Sequence, residues 1–185
     1  MDVDRPPRAV DTRWVYRVGW AALALGIIVA AFLRLGPAPS GPTVIIVALD
    51  GTERTLSLEE MKALPGVSRR GIYQNQYGNW RDEGFYEGVL LTELIGEEAS
   101  YASIRVVAED GYQIEIERER VEDAAFPMVL AYAFDDVEIP GWSDGPRIAV
   151  LPESGRVGNE EYGVVSAGSY WVKNVERIEV QQPAQ

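Results

Sequence analysis

Between Trp14 and Leu35 the chain reads WVYRVGWAALALGIIVAAFLRL, and Val18 to Leu33 carries no charged side chain. A helix of that composition is apolar all round, with no polar face to turn toward water at the surface of a small domain. Its twenty-two residues would span about 33 Å, against about 30 Å for the hydrocarbon core of a bilayer. Trp14, Tyr16 and Trp20 sit at the N-terminal end, where amphipathic rings favour the headgroup level, and Arg17 and Arg34 bracket the run. The segment is therefore expected to be a membrane anchor.

Arg5, Arg8, Arg13 and Arg17 precede the apolar core and only Arg34 follows it. The excess of positive charge before a span predicts residues 1–13 in the cytoplasm and everything beyond residue 35 on the other side of the membrane. Pro37-Ala38-Pro39-Ser40 makes a poor signal-peptidase site, so the span is expected to stay as a signal anchor. Residues 36–42, GPAPSGP, cannot hold a helix and read as a linker. The remaining organisation is a body over residues 43–181 and a short tail, 182–185.

Charge separates these parts too. Five of the 17 Lys and Arg residues but only three of the 29 Asp and Glu residues lie before Pro37, so the rest of the chain carries a net charge of −14. A body that acidic disfavours nucleic acid and anionic lipid surfaces as partners, since phosphate recognition needs local positive potential. The chain contains no cysteine and no histidine. Disulfides, zinc sites of the usual kind, cysteine nucleophiles and Ser-His-Asp constellations are excluded.

Short β-branched and apolar runs separated by turn signals describe the body. Thr43–Leu49 and Arg54–Leu56 flank Asp50-Gly51 and predict a hairpin. Ser57-Leu58-Glu59-Glu60 has capping-box spacing and predicts a short helix ended by Pro65-Gly66. Val67–Tyr73 reads as a strand. Val89–Gly96 reads as a second helix with a threonine cap and a terminal glycine. Ile104–Ala108 and Tyr112–Ile116 form a hairpin through Glu109-Asp110-Gly111, with Gln113, Glu115 and Glu117 facing water. Arg118–Ala125 is a charged turn or helix. Met128–Phe134 and Ile148–Leu151 are strands of the buried kind, Val137–Pro140 pairs back after Asp135-Asp136, and Val175–Val180 closes the chain. Many strands with small helices between them, and no regular βαβ alternation, predict an α+β fold with a mixed sheet or compact barrel.

Gly71–Gly88, GIYQNQYGNWRDEGFYEG, follows neither helical nor strand periodicity and is expected to be a long structured loop. Its aromatic rings, amides and glycines suit either the lining of a ligand or partner site or a rigid cover folded over the core.

Three pieces together resemble the molybdopterin-binding domain of sulfite-oxidase-type oxidoreductases. They are Tyr77-Gly78-Asn79-Trp80-Arg81 with Gly84–Leu91; Ala108–Tyr112 with Leu130-Ala131-Tyr132; and Gly145–Pro152 with Trp171–Val175. The likeness is to short, single-domain members and covers roughly residues 55–180. It implies a pterin site in which Tyr73, Asn75, Gln76, Tyr77, Asn79, Arg81 and Lys173 contact the cofactor, with Arg69, Arg70 and Arg147 as further counter-charges for an anion. It also exposes a departure. Catalytic members carry Cys-x-Gly-Asn, whose sulfur ligates molybdenum, where this chain has Gln76-Tyr77-Gly78-Asn79. A neutral carboxamide is a poor replacement for a soft thiolate. The expectation is a module that binds a ligand or partner without catalysis, with no catalytic residue, no protein metal ligand, and molybdopterin as the one cofactor suggested. An oxidoreductase with atypical metal ligation and a structural subunit of a membrane complex are the alternatives.

Overall fold

The computed structural model describes residues 41–96 and 101–183. The expected anchor, Trp14–Leu35, lies outside them, and no helix among the described residues is long and apolar enough to cross a membrane.

Among the described residues ten strands form two open five-stranded sheets. The first contains β1 (Thr43–Val47), β2 (Glu53–Ser57), β5 (Ser103–Ala108), β6 (Gln113–Glu117) and β10 (Val175–Gln181), in the order β2-β1-β10-β5-β6. It is mixed: β1 and β10 run parallel, and the other pairs are antiparallel. The second is antiparallel throughout and contains β3 (Gly66–Gln74), β4 (Trp80–Leu90), β7 (Met128–Phe134), β8 (Val137–Glu138) and β9 (Arg147–Val150). β4 pairs with one edge of β7, while β9 and β8 share the other. The expected α+β class and mixed sheet are both present, but the compact barrel is not: each sheet ends in unclosed edge strands.

Among the described residues three short α-helices interrupt the strands, α1 (Leu58–Ala63), α2 (Leu91–Ile95) and α3 (Arg118–Val121), with a 3-10 turn at Ala167–Tyr170. The capping box forms as the sequence implied, with the Glu60 amide donating to Ser57 Oγ at 3.3 Å and the Ser57 amide to Glu60 Oε2 at 2.8 Å. Before Pro65, Leu64 turns extended (ψ 161°), which ends α1. α2 is shorter than its pattern suggested, and Thr92 lies inside it rather than capping it. Val89 and Leu90 are held in β4 by pairing with Leu130 and Val129, so the helix cannot begin before Leu91.

The larger correction concerns Gly71–Gly88, which is not a loop. β3 and β4 form a long hairpin through it, and only residues 75–79 turn. Two glycines disguised β4 by occupying its inward face. A Cβ on Gly88 would meet Leu130 O at 2.4 Å and Ala131 Cα at 2.6 Å, so that position must be bare for β7 to pair. Gly84 similarly makes room for the Phe134 ring.

A fully buried Tyr86 on β4 joins the aromatic part of the core, with Phe134, Trp142 and Trp171 at ring-centroid distances of 4.8, 6.0 and 5.1 Å. Trp171 in turn lies 4.8 Å from Tyr73. This aromatic chain runs from the second sheet to the base of the hairpin turn.

Candidate functional site

The hairpin turn is built by Asn75. Its Oδ1 accepts the amides of Tyr77 and Asn79, each at 3.0 Å, and its main-chain carbonyl accepts the Gly78 amide at 2.9 Å. Gly78 has φ +75°, a conformation open to glycine without cost. Gln76, Tyr77 and Asn79 project into solvent from this turn, and Arg81 does the same from the start of β4.

Below the turn, β4 carries an extra residue relative to β3. Gly71 pairs with Gly84 and Tyr73 with Arg81, so three β4 steps oppose two on β3. Asp82 takes up the excess in the left-handed region, at φ +51°. The bulge aims its carboxylate inward, where Arg147 Nη2 donates to Asp82 Oδ2 at 2.6 Å and the Tyr73 hydroxyl donates to the same oxygen at 3.2 Å. Arg147 is only 1% exposed. Its guanidinium lies beside the Tyr73 and Trp171 rings, 5.7 and 5.5 Å from their centroids. Lys173 Nζ donates to Asp144 Oδ2 at 2.6 Å and stands 3.8 Å from Asp82. Two cations and two carboxylates thus close a compact network.

Burial pushes the Asp82 carboxyl up, but the hydrogen bond and charge of Arg147, with Lys173 and Tyr73 adding to them, outweigh burial and hold it below the usual carboxylate value. Burial raises the Tyr73 phenol, and Arg147 offsets part of that rise. Neither proton moves near neutrality. This network therefore orders the base of the turn and is not arranged as an acid–base pair for chemistry at pH 7.

On the opposite face of the hairpin the side chains differ. Strand alternation sends Tyr73 toward the core and Ile72 and Gln74 outward, and Gln74 pairs with Trp80. Here Trp80, Ser154 and Arg156 border two adjoining clefts of about 370 and 490 Å³. Arg156 stacks over Trp80, with its guanidinium carbon 4.4 Å from the ring centroid, and makes no ion pair among the described residues. Arg70, in the wall of the first cleft, is paired with Glu83.

Asn159 fastens the cleft segment to the turn. Its amide donates to Gln74 Oε1 at 2.9 Å, its Nδ2 to the Asn75 carbonyl at 2.8 Å, and its Oδ1 accepts the Ala167 amide at 2.8 Å.

Of the seven residues marked as cofactor contacts, Tyr73 and Lys173 meet at Asp82, and Asn75 shapes the turn. Gln76, Tyr77, Asn79 and Arg81 lie at or beside the exposed tip, and none of the seven lines either cleft. Asp82, Asp144, Trp80, Arg156 and Asn159 were missed as site residues. Trp80 belonged to the stretch already singled out, and its register opposite Gln74 would have placed it. Asp82, Arg156 and Asn159 were harder to place, because Asp82 meets Arg147 across 65 positions, Asn159 meets Gln74 and Asn75 across 85 and 84, and Arg156 lies far in sequence from Trp80.

Neither a protein-family model nor a curated protein matches the chain. Among solved structures, the sulfane dehydrogenase SoxCD from Paracoccus pantotrophus is similar, with a TM-score of 0.55 and 16% sequence identity. The likeness is one of fold. It covers 77% of this chain but 38% of the SoxCD chain, so the protein spans well under half the length of that neighbour.

Proposed function

We propose that the body is a ligand-binding module built on an oxidoreductase-type scaffold, without the metal chemistry of the sulfite-oxidase-type enzymes that it resembles. The observation that carries this reading is the β3–β4 hairpin. Its tip presents the neutral Gln76 side chain to solvent, while its outer face supplies Trp80 to the Arg156 clefts. The fold likeness to SoxCD, a dehydrogenase by its name, supports the scaffold.

The donor set at the tip does not fit a thiolate-ligated molybdenum centre. Asn75, Gln76 and Asn79 offer hard, neutral carboxamide oxygens, Asn75 Oδ1 is already engaged by two amides, and the sequence holds no cysteine. The clefts fit a ligand better. They are in the size range of small-molecule sites, with one stacked cation whose in-plane donors are free of carboxylates. The apolar run Trp14–Leu35 and the arginines before it support placing the module at the outer face of a membrane, on a cytoplasmic N-terminal anchor.

The test is metal analysis and native mass spectrometry of the full chain, extracted in detergent from a host that makes molybdopterin. Molybdenum well below one per chain, and a small molecule retained by the wild type but lost from Trp80→Ala, is the expected result. Stoichiometric molybdenum with a releasable pterin would overturn the proposal.

A further inference from the structure

The two clefts that share Trp80 differ in the net charge of their lining. The smaller has Arg70, Glu83 and Arg156 in its wall, one more cation than acid. The larger combines Arg156 with Glu160 and Glu161, one more acid than cation. Trp80 and Arg156 belong to both, so a ligand lying along the indole passes from a positive to a negative surroundings without leaving the groove.

The free charges are specific ones. Glu83 already engages Arg70, whereas Arg156 has no carboxylate partner among the described residues. Stacking on Trp80 occupies one face of its guanidinium and leaves the in-plane N–H fork, which matches a planar carboxylate. Glu160 and Glu161 are both exposed, and neither forms an ion pair among the described residues. A dianion would be repelled by those two acids and by Glu83, and a simple amine would be repelled by Arg156.

We propose that this groove binds a small zwitterion: an amino-carboxylate whose carboxylate takes the Arg156 fork, whose ammonium lies against Glu160 and Glu161, and whose methylenes run over Trp80. The inference rests on the ligand-binding reading above and narrows it to one chemical class.

Isothermal titration of the detergent-extracted full chain tests it with glycine, 4-aminobutanoate and 6-aminohexanoate, compared with hexanoate and hexylamine. At least one amino acid is expected to bind saturably, and at least ~10-fold more tightly than either single-charge compound. Arg156→Gln should weaken that binding ~10-fold or more. The double variant Glu160→Gln, Glu161→Gln should reduce the zwitterion to the level of hexanoate. These side chains are exposed, and a circular-dichroism spectrum and thermal midpoint like those of the wild type would confirm that each variant is folded. Absence of saturable binding by all three amino acids, or hexanoate binding as tightly as the best of them, overturns the inference. If either occurs while native mass spectrometry still finds a molecule that depends on Trp80, the ligand class is wrong but the module reading stands; if no such molecule is found, both fall.

Discussion

Asn159 Nδ2 donates to the main-chain carbonyl of Asn75 at 2.8 Å, across a sequence separation of 84 residues. Because Asn159 also binds Gln74 through its amide and Ala167 through its Oδ1, a single side chain couples the hairpin turn to the segment bordering the clefts. Asn159→Ala removes both side-chain bonds and should cost about 2–3 kcal/mol, since each partly buried partner loses its mate. Asn159→Asp keeps an acceptor for the Ala167 amide but sets a carboxylate oxygen against the Asn75 carbonyl, so it should recover little of that loss. Urea unfolding gives the two values. Amide hydrogen exchange adds a local readout, because the Ala167 amide should exchange faster in the alanine variant than in the aspartate one.

Arg147 and Asp82 form a partly buried ion pair, with side-chain exposures of 2% and 30%. Asp82→Asn leaves the guanidinium facing a neutral amide and should destabilise the fold by about 3 kcal/mol at neutral pH. The sign of the pH dependence follows from the depressed Asp82 pKa. The carboxylate contributes its full stability above its unfolded value, near 3.8, and loses it as pH falls through the lower folded value. The stability gap between wild type and Asp82→Asn should therefore be constant well above the unfolded value and narrow as pH falls below it. A gap that does not narrow at all on acidification below the unfolded value would show that the charge is not what holds Asp82 in place.

What the sequence disclosed follows from how local each signal is. Ser57 and Glu60 cap α1 across three residues, and Met128–Phe134 is an unbroken apolar run, so both were readable without knowing the partners. The hairpin was not readable, because its period-2 pattern is broken by a bulge at Asp82 and by glycines at 84 and 88, where inward apolar residues would ordinarily stand. Losing that alternation also lost the assignment of faces, so nothing in the stretch itself separates Tyr73, which turns to the core, from Trp80, which borders the clefts. Arg147 could be picked out as a counter-charge, but its choice of Asp82 depends on the bulge. No pattern within a single segment encodes that.

Tyr86 separates the energy of a ring from that of a hydroxyl. The ring is fully buried among three other aromatic residues, and the hydroxyl donates to the Asp82 carbonyl at 2.6 Å, inside the bulge. Tyr86→Phe preserves the packing and leaves that carbonyl without its donor, so about 1–2 kcal/mol should be lost. Tyr86→Ala empties the ring site as well and should cost about 3–5 kcal/mol or prevent folding. Burial pushes the Tyr86 phenol far above its usual value and raises Tyr101, Tyr132 and Tyr162 to about 12, so ultraviolet titration of the folded protein should show a smaller alkaline transition than the unfolded protein shows. The Tyr86→Phe spectrum should lose a group that does not titrate, leaving the folded-state curve unchanged.

Gly88 and Gly78 lie at the two ends of the same hairpin strand system but are needed for different reasons, and the same substitution tells them apart. At Gly88 the obstacle is space: an added Cβ would lie 2.4 Å from Leu130 O and 2.6 Å from Ala131 Cα, both backbone atoms of β7 that can move only by opening the β4–β7 pairing. Gly88→Ala is therefore expected to cost more than about 3 kcal/mol or to yield no folded protein. At Gly78 there is nothing within 4 Å of the new atom, and the obstacle is the backbone angle of +75°. Gly78→Ala should cost about 1–2 kcal/mol from left-handed strain, and Gly78→Asn less than that, since asparagine tolerates this region better than alanine. Thermal unfolding of the three variants checks the order Gly78→Asn, Gly78→Ala, Gly88→Ala from least to most destabilised. If Gly88→Ala were no worse than Gly78→Ala, the close approach of β7 to β4 would be wrong.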